Sequence, residues 1–525
     1  MPTFILPMQK LLLILILISA SSGITQVTWL PDSSFANDGI FSFNKCEEGH
    51  AILIQPDRKI LVGGNSDSCY LLRLHLDGSV DSTFGQNGYA RWARFGNQQY
   101  VLTEMSLQDD GKIVVVGYSA DYDEFIMRFT ANGEVDLSFN GGYQIVSSTD
   151  YDSYYAFDIE VLSSDKILIA GLYYTGSFFS SNTYIFLVQL NLDGSFDNSF
   201  STDGKYALGG LPSEHNVARA MEIQPDGKII IAGYYMNPTY PEESDIYLEV
   251  IRLNYDKSLD STFNNTGYYR TKINGNNCRV MDVLFTEEGK IICAGYGTEG
   301  NKDFSFLLQL NSDGSVDNNF GSGGTWISSD TTNVYFRKLA LNDGNIYVTG
   351  EIETNPLNNG LLVMGFDSQG IPLTDFGING LMASEHTNRD DVGFDIALQE
   401  DGKILIVAGF SVGNAASEMA VMRILSEGID TSTIELVPNT SIQIFPNPIH
   451  TSSLNLSLNL AIAGDINVDL IDITGRMCAQ LMVNTYYEKG AHSITLPLPL
   501  TLSAGQYILT LTSAEYQYTQ MLIVL

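Results

Sequence analysis

Positive charge is what this chain most lacks: 27 lysines and arginines stand against 61 aspartates and glutamates, a formal net charge of -34. Such a surface repels phosphate backbones, so nucleic acid is excluded as an expected partner. Cysteine is scarce too. Five residues, Cys46, Cys69, Cys278, Cys293 and Cys478, are too few to staple a 525-residue chain, which must rely on a hydrophobic core. No H-E-x-x-H, phosphate-binding loop or C-x-x-C occurs, and the six histidines (His50, His75, His215, His386, His450, His492) lack ligand spacing. Long apolar runs are missing as well. The stretch Leu11 to Ile18 cannot cross a hydrocarbon layer of about 30 Å, and no later segment is long and apolar enough to do so.

That short run has a different meaning. Lys10 precedes it and Ser19-Ala20-Ser21-Ser22-Gly23 follows, which is the layout of a secretory signal peptide over residues 1–23. The chain is therefore expected to be exported. Cys46 and Cys69 lie equally far from the centre of a tight turn at Pro56-Asp57-Arg58-Lys59. A hairpin in register to that distance would set them opposite each other for a disulfide. Cys278 and Cys293 miss the same symmetry around their turn and read as buried thiols.

Glycine is abundant, at 48 residues, and aromatics make up 11%. Short strands joined by tight turns are implied. One element recurs seven times, as in IQPDRKILVGG at 54–64, LQDDGKIVVVG at 107–117 and IQPDGKIIIAG at 223–233. Its aligned Lys or Asn falls at 59, 112, 166, 228, 290, 345 and 403, six intervals averaging 57 residues. A second element follows six times, as in LRLHLDGSVDSTFGQNG at 72–88. The seventh unit stops at VMRILSEGID, 421–430, without its Asp-x-x-Phe tail. That tail stands instead at Pro31-Asp32-Ser33-Ser34-Phe35-Ala36-Asn37-Asp38-Gly39.

Each unit predicts four strands: one before the PDGK turn, one after it, one before the DGS turn and one around Asp-x-x-Phe. The expected fold is all-β: a seven-bladed β-propeller over 24–430, closed by the N-terminal strand, then a linker at 431–441 and a small β-sandwich at 442–525. The PDGK and DGS turns fall on one face of such a ring and the long, variable loops on the other.

These two elements resemble the delta-60 repeat family of secreted bacterial proteins, whose members are thought to be propellers and mostly have no assigned activity. Unit 6 departs from the pattern, with Asn345 in place of Lys and Leu373-Thr374-Asp375-Phe376 lacking the first Asp. The C-terminal segment resembles the type A sorting domain of type IX secretion. Its marks are Phe445-Pro446-Asn447-Pro448, the D-x-x-G-R hairpin at Gly475, the Gly505-Gln506-Tyr507 strand and the apolar chain end. That resemblance implies the type IX machinery as a partner, export across the outer membrane, removal of the domain and often attachment at the cell surface.

Function is less legible. Asp-rich turns such as Asp193-Gly194-Ser195-Phe196-Asp197 admit calcium, but turn chemistry alone explains their recurrence, so no cofactor is expected. Aromatics near the long loops, Tyr173, Phe178, Phe179, Tyr235 and Tyr240, are candidates to stack on a glycan or anchor an extracellular protein. A non-catalytic binding or scaffold role is expected. The alternatives are a polysaccharide-acting hydrolase or lyase with carboxylates in the propeller channel, and a purely structural surface component.

Overall fold

The structure, a computed structural model, describes residues 31–425 and 441–524, less short stretches of which the longest are 93–99, 209–214, 238–244 and 446–452. The expected signal peptide and nearly all of the expected linker lie outside the described residues. The PDGK turns act as the sequence implies. The Gln55 amide donates to the Lys59 carbonyl at 2.8 Å and the Arg58 amide to the Gln55 carbonyl at 2.7 Å. The residue before the Lys needs positive φ, and glycine supplies it at Gly111, Gly227, Gly289 and Gly402.

Seven four-stranded antiparallel units result. Their first strands are Glu48–Ile54, Tyr100–Leu107, Asp152–Val161, His215–Ile223, Asn277–Phe285, Val334–Asn342 and Asp391–Leu398, numbered here as blades 1 to 7. One detail differs from the expectation. Asp-x-x-Phe is a turn rather than a strand, and the fourth strand follows it, as at Tyr89–Trp92 and Tyr143–Val146. In blade 7 that place is taken by Ile40–Phe43, paired with Ala416–Ile424.

The unbroken apolar second strands follow from burial on both sides. Ile60 and Val62 pack toward blade 7 while Leu61, between them, packs toward blade 2. Each neighbouring pair of blades shares one such core. There are seven of these cores, the seventh joining Leu405 and Val407 of blade 7 to Leu72 and Leu74 of blade 1. An open arc of seven blades would have six, so the ring is closed.

The Asp-x-x-Phe tail locks each blade to the next. Arg73 Nε donates to Asp81 at 2.8 Å, and its Nη1 donates to the Ala131 carbonyl of blade 2 at 2.7 Å. Phe84 lies against Gly133, where a Cβ would sit 2.8 Å from its ring. The turn lysines complete the lock: Lys59, Lys228, Lys290 and Lys403 reach Asp81, Asp260, Asp317 and Asp32 at 2.8–3.3 Å. Blade 6 lacks the Lys and the Asp together, having Asn345 and Leu373, and Gly365 stands where the Arg would be. Blades 3 and 5 keep the Lys–Asp pair with Gln189 and Gln309 in place of the Arg, so it is the Lys and Asp that are kept or lost together, as the cost of an isolated buried charge requires.

The C-terminal segment is a sandwich, as expected. Ser441–Phe445, Ser453–Leu460 and Gly490–Pro497 form one sheet; Gly464–Asp472, Met477–Tyr487, Gly505–Thr512 and Gln517–Val524 form the other. Alternating Leu454, Leu456, Leu458, Leu470, Leu509 and Leu511 fill the space between them, and Leu522 of the apolar chain end joins this core.

The cysteine pairing needs correction. Cys46 and Cys69 are both free and buried. The first hairpin keeps register only to Glu48 opposite Asn65; the chain then turns, and Cys69 pairs with Asn65 in the third strand. Burial pushes the Cys46 thiol up to about 12. Cys278 and Cys293 are buried thiols.

Candidate functional site

The seven first strands touch one another in cyclic order and therefore line the central channel. Each carries a β-bulge at the same place, leaving one residue outside the ladder: His50, Thr103, Phe157, Arg219, Met281, Arg337 and Phe394. Bulges re-aim a side chain out of a sheet. All seven are half-buried. A regular scaffold thus presents seven different side chains around one opening.

On the loop-side half of the channel these residues join a run of alternating rings and guanidinium groups. Arg219 lies 4.5 Å from the Phe157 ring centroid and 5.9 Å from that of Tyr234. Arg279 lies 5.5 Å from Tyr234 and 5.5 Å from Tyr296, which meets Tyr335 edge-on at 5.4 Å. Further round the opening, Arg337 sits 5.4 Å from Phe394, and His50 meets the same ring at 4.5 Å, tilted by 37°. Cation–π contacts of this kind hold long side chains in place without using their N–H donors.

One residue further along each strand the chemistry changes to Ala51, Glu104, Asp158, Ala220, Asp282, Lys338 and Asp395. Three of the acids tie blades together. Asp158 accepts the Met221 amide at 2.6 Å, Asp282 the Leu339 amide at 2.7 Å and Asp395 the Ile52 amide at 2.8 Å, each from the next blade round. Lys338 of blade 6 donates to Glu104 of blade 2 at 2.6 Å, an ion pair that spans the channel. Burial raises Asp158, Asp282 and Asp395 above the usual carboxylate range. Burial, reinforced by the charge of Asp158, lifts Glu160 and Glu222 to about 8.

The expected site residues fare differently. Tyr173 is built into blade 3, stacked on Tyr154 at 4.8 Å, and Tyr235 packs on Tyr247 at 6.0 Å and under Arg270 at 4.2 Å. Phe178, Phe179 and Tyr240 lie outside the described residues, as do Pro446, Asn447, Pro448 and Gly475. Phe445 ends the first sandwich strand, Gly505 begins another, and Tyr507 is buried in the sandwich core. In the Asp-rich turns, Asp193 accepts the Ser195 amide at 3.0 Å and its hydroxyl at 2.6 Å. No three His, Cys, Asp or Glu side chains converge on a metal position among the described residues. G-x-S-x-G, expected to be absent like the other catalytic motifs, in fact stands at 409–413, which corrects that expectation. Its Ser411 pairs with Ser417 in a β-hairpin, not in the strand-to-helix turn a nucleophile needs.

The sequence reading missed the bulge residues. The signal was present: nine residues before the turn Lys, or eight in the shortened unit 6, an otherwise regular repeat reads His, Thr, Phe, Arg, Met, Arg, Phe.

A closed ring of repeats followed in the chain by a separate sandwich defines an exported propeller protein carrying an address domain. A family model described as a domain of unknown function (DUF5122) β-propeller matches at 55–84, 108–139, 162–200, 224–263 and 288–320, and a secretion system C-terminal sorting domain matches at 443–525. The chain is a propeller of this repeat family with a type IX sorting domain, secreted and attached at the cell surface through that machinery. No curated protein matches it. Among solved structures it resembles the polysaccharide lyase Uly1 (10% identity, 72% of this chain and 90% of that one, TM-score 0.43). It also resembles Sqt1 from Chaetomium thermophilum (12%, 74% and 100%, 0.38) and Drosophila Plexin A in complex with Semaphorin 1b (8%, 76% and 88%, 0.38). None of the helices described is long and apolar enough to cross a membrane.

Proposed function

We infer that the propeller is a non-catalytic binding module displayed at the cell surface, and that it takes its ligand at the loop-side opening of the channel. The observation that carries this is the set of seven equivalent bulges, which hold the backbone constant and vary the side chain. Selection for stability alone would favour one residue type at such a repeated position. The acids beneath are largely committed to backbone amides and to Lys338, which speaks against a free catalytic pair among them.

The test is an array of glycans and matrix proteins probed with the full chain, in calcium and in chelator. Saturable binding weakened by Phe157→Ala and Phe394→Ala is the expected result. A blank array, or binding indifferent to both changes, overturns the reading. Glu160 and Glu222 favour a second reading, since carboxyls that hold protons at neutral pH suit acid–base work on a polysaccharide. Release of reducing ends by the full chain, abolished by Glu222→Gln, would put that reading first.

A further inference from the structure

Ten arginines lie among the described residues, and eight of them pair with a carboxylate. In a chain of net charge -34 this is unsurprising. The two exceptions are Arg219 and Arg279, which have no hydrogen-bond acceptor among the described residues and share one neighbour, Tyr234. Arg219 Nε is buried with no partner at all. Placing two guanidinium groups without a carboxylate partner around one tyrosine ring, in a protein with more than two acids for every base, requires a reason.

We propose that Arg219 and Arg279, with Tyr234 between them, form a subsite for an anionic saccharide bearing carboxylate or sulfate groups. The proposal rests on the binding reading above and names its ligand class. A guanidinium held over an aromatic ring makes no hydrogen bond to it, so the Nη donors at the guanidinium's own edge can meet a carboxylate or sulfate with paired hydrogen bonds. Phe157 and Tyr296, flanking the two arginines, offer flat apolar faces to the C–H faces of sugar rings. A charged sugar carries an anion and an apolar face on one rigid unit, as the alternation along the opening demands. An acidic peptide carries its charge on flexible stems and has no such face. The acid ring below limits the anion to the rim.

The test measures binding of the full chain to polygalacturonate, dextran sulfate, neutral dextran and poly-glutamate at low salt. The expected result is binding to one or both charged saccharides, weakening with added salt as the charges are screened over about 8 Å at physiological ionic strength. Arg219→Gln and Arg279→Gln should each weaken it about tenfold or more, and the Lys variants should lose less, since they keep charge without the fork. Arg91→Gln, which removes an exposed arginine of the outer blade edge, should change nothing. Which of the two saccharides binds distinguishes carboxylate from sulfate.

Thermal melting of each variant accompanies the binding curve, and the Lys variants serve where a Gln variant fails to fold. Equal loss with Arg91→Gln, equal affinity for poly-glutamate, or binding of neutral dextran that ignores both arginines overturns the saccharide-anion subsite. The last of these leaves the binding reading intact, provided Phe394→Ala still weakens it. No binding of any probe here, together with a blank array, ends both.

Discussion

Asp32 and Arg423, 391 residues apart in sequence, form the hydrogen-bonded ion pair that closes the ring, with Nε 2.9 Å from Oδ2. Lys403 reaches the same oxygen at 3.1 Å, and the Ser34 hydroxyl lies 3.0 Å from Arg423 Nη2. The same lock that joins covalently continuous blades elsewhere thus joins the two ends of the propeller. Arg423→Met leaves buried Asp32 with Lys403 as its one remaining ion-pair partner among the described residues, beside the Ser34 hydrogen bonds, and should cost about 3–5 kcal/mol in urea unfolding. Adding Asp32→Ala to that variant should cost less than the single change alone does, because the charge it removes is already stranded. Strict additivity in the double variant would mean the pair is not coupled.

Tyr173 and Tyr235 now read as parts of their blades. Tyr173→Ala removes a stack on Tyr154 and contacts to the blade 3 core, and should lower stability by roughly 1–3 kcal/mol. Ligand binding by the folded fraction should be unchanged. A variant that melts like the parent yet loses binding would restore Tyr173 to the site.

Why the blades were legible and the opening was not has a physical basis. Turn chemistry and two-sided burial act on neighbouring residues, so PDGK, DGS and runs such as Ile60-Leu61-Val62 announce themselves locally. The missing tail of unit 7 likewise predicted that residues near Asp32 complete the last blade. A bulge, by contrast, depends on register across two strands. Only alignment of the repeats, not the residues beside Arg219, marks it as leaving the ladder, and nothing local shows that it and Arg279 approach Tyr234 from separate strands of two blades. The Cys46–Cys69 expectation failed for the same reason, since hairpin symmetry cannot show that the strand ends at Asn65.

The channel acids make stability depend on pH in a definite direction. Unfolded carboxyls titrate near pH 4. Glu160 and Glu222, raised to about 8 by burial, keep protons that the unfolded chain has released. Their contribution is present below pH 4 and is lost as the pH rises to about 8. Asp32 and Asp260 act oppositely. Burial raises them, but hydrogen bonds from Ser34 and Thr262 and the charges of nearby Lys and Arg outweigh it and hold both at about 2. Their contribution is lost as the pH falls from about 4 to 2. Melting temperature should therefore peak at about pH 4–5 and decline toward pH 8. Scanning calorimetry across pH 3 to 9 checks this, and a curve that climbs from pH 5 to 8 contradicts the burial of these groups.

Glu124 isolates the same effect in one residue. It lies at the start of the third strand of blade 2, fully buried, with neither carboxylate oxygen hydrogen-bonded. Burial raises it to about 8 against a weak opposing pull from Lys205, so near neutrality it is a carboxylic acid rather than an anion. Glu124→Gln replaces that acid with an amide of similar shape that does not titrate. Near pH 4 the two proteins should differ little. Above that, the parent loses up to about 1.4 kcal/mol per pH unit relative to the variant, because its unfolded state ionises and its folded state does not. The gap should stop growing above about pH 8, where both states are ionised. Urea unfolding of both proteins at pH 4.5, 6, 7.5 and 9 measures it directly. A difference that stays constant over that range would mean Glu124 is solvated or paired in the folded protein.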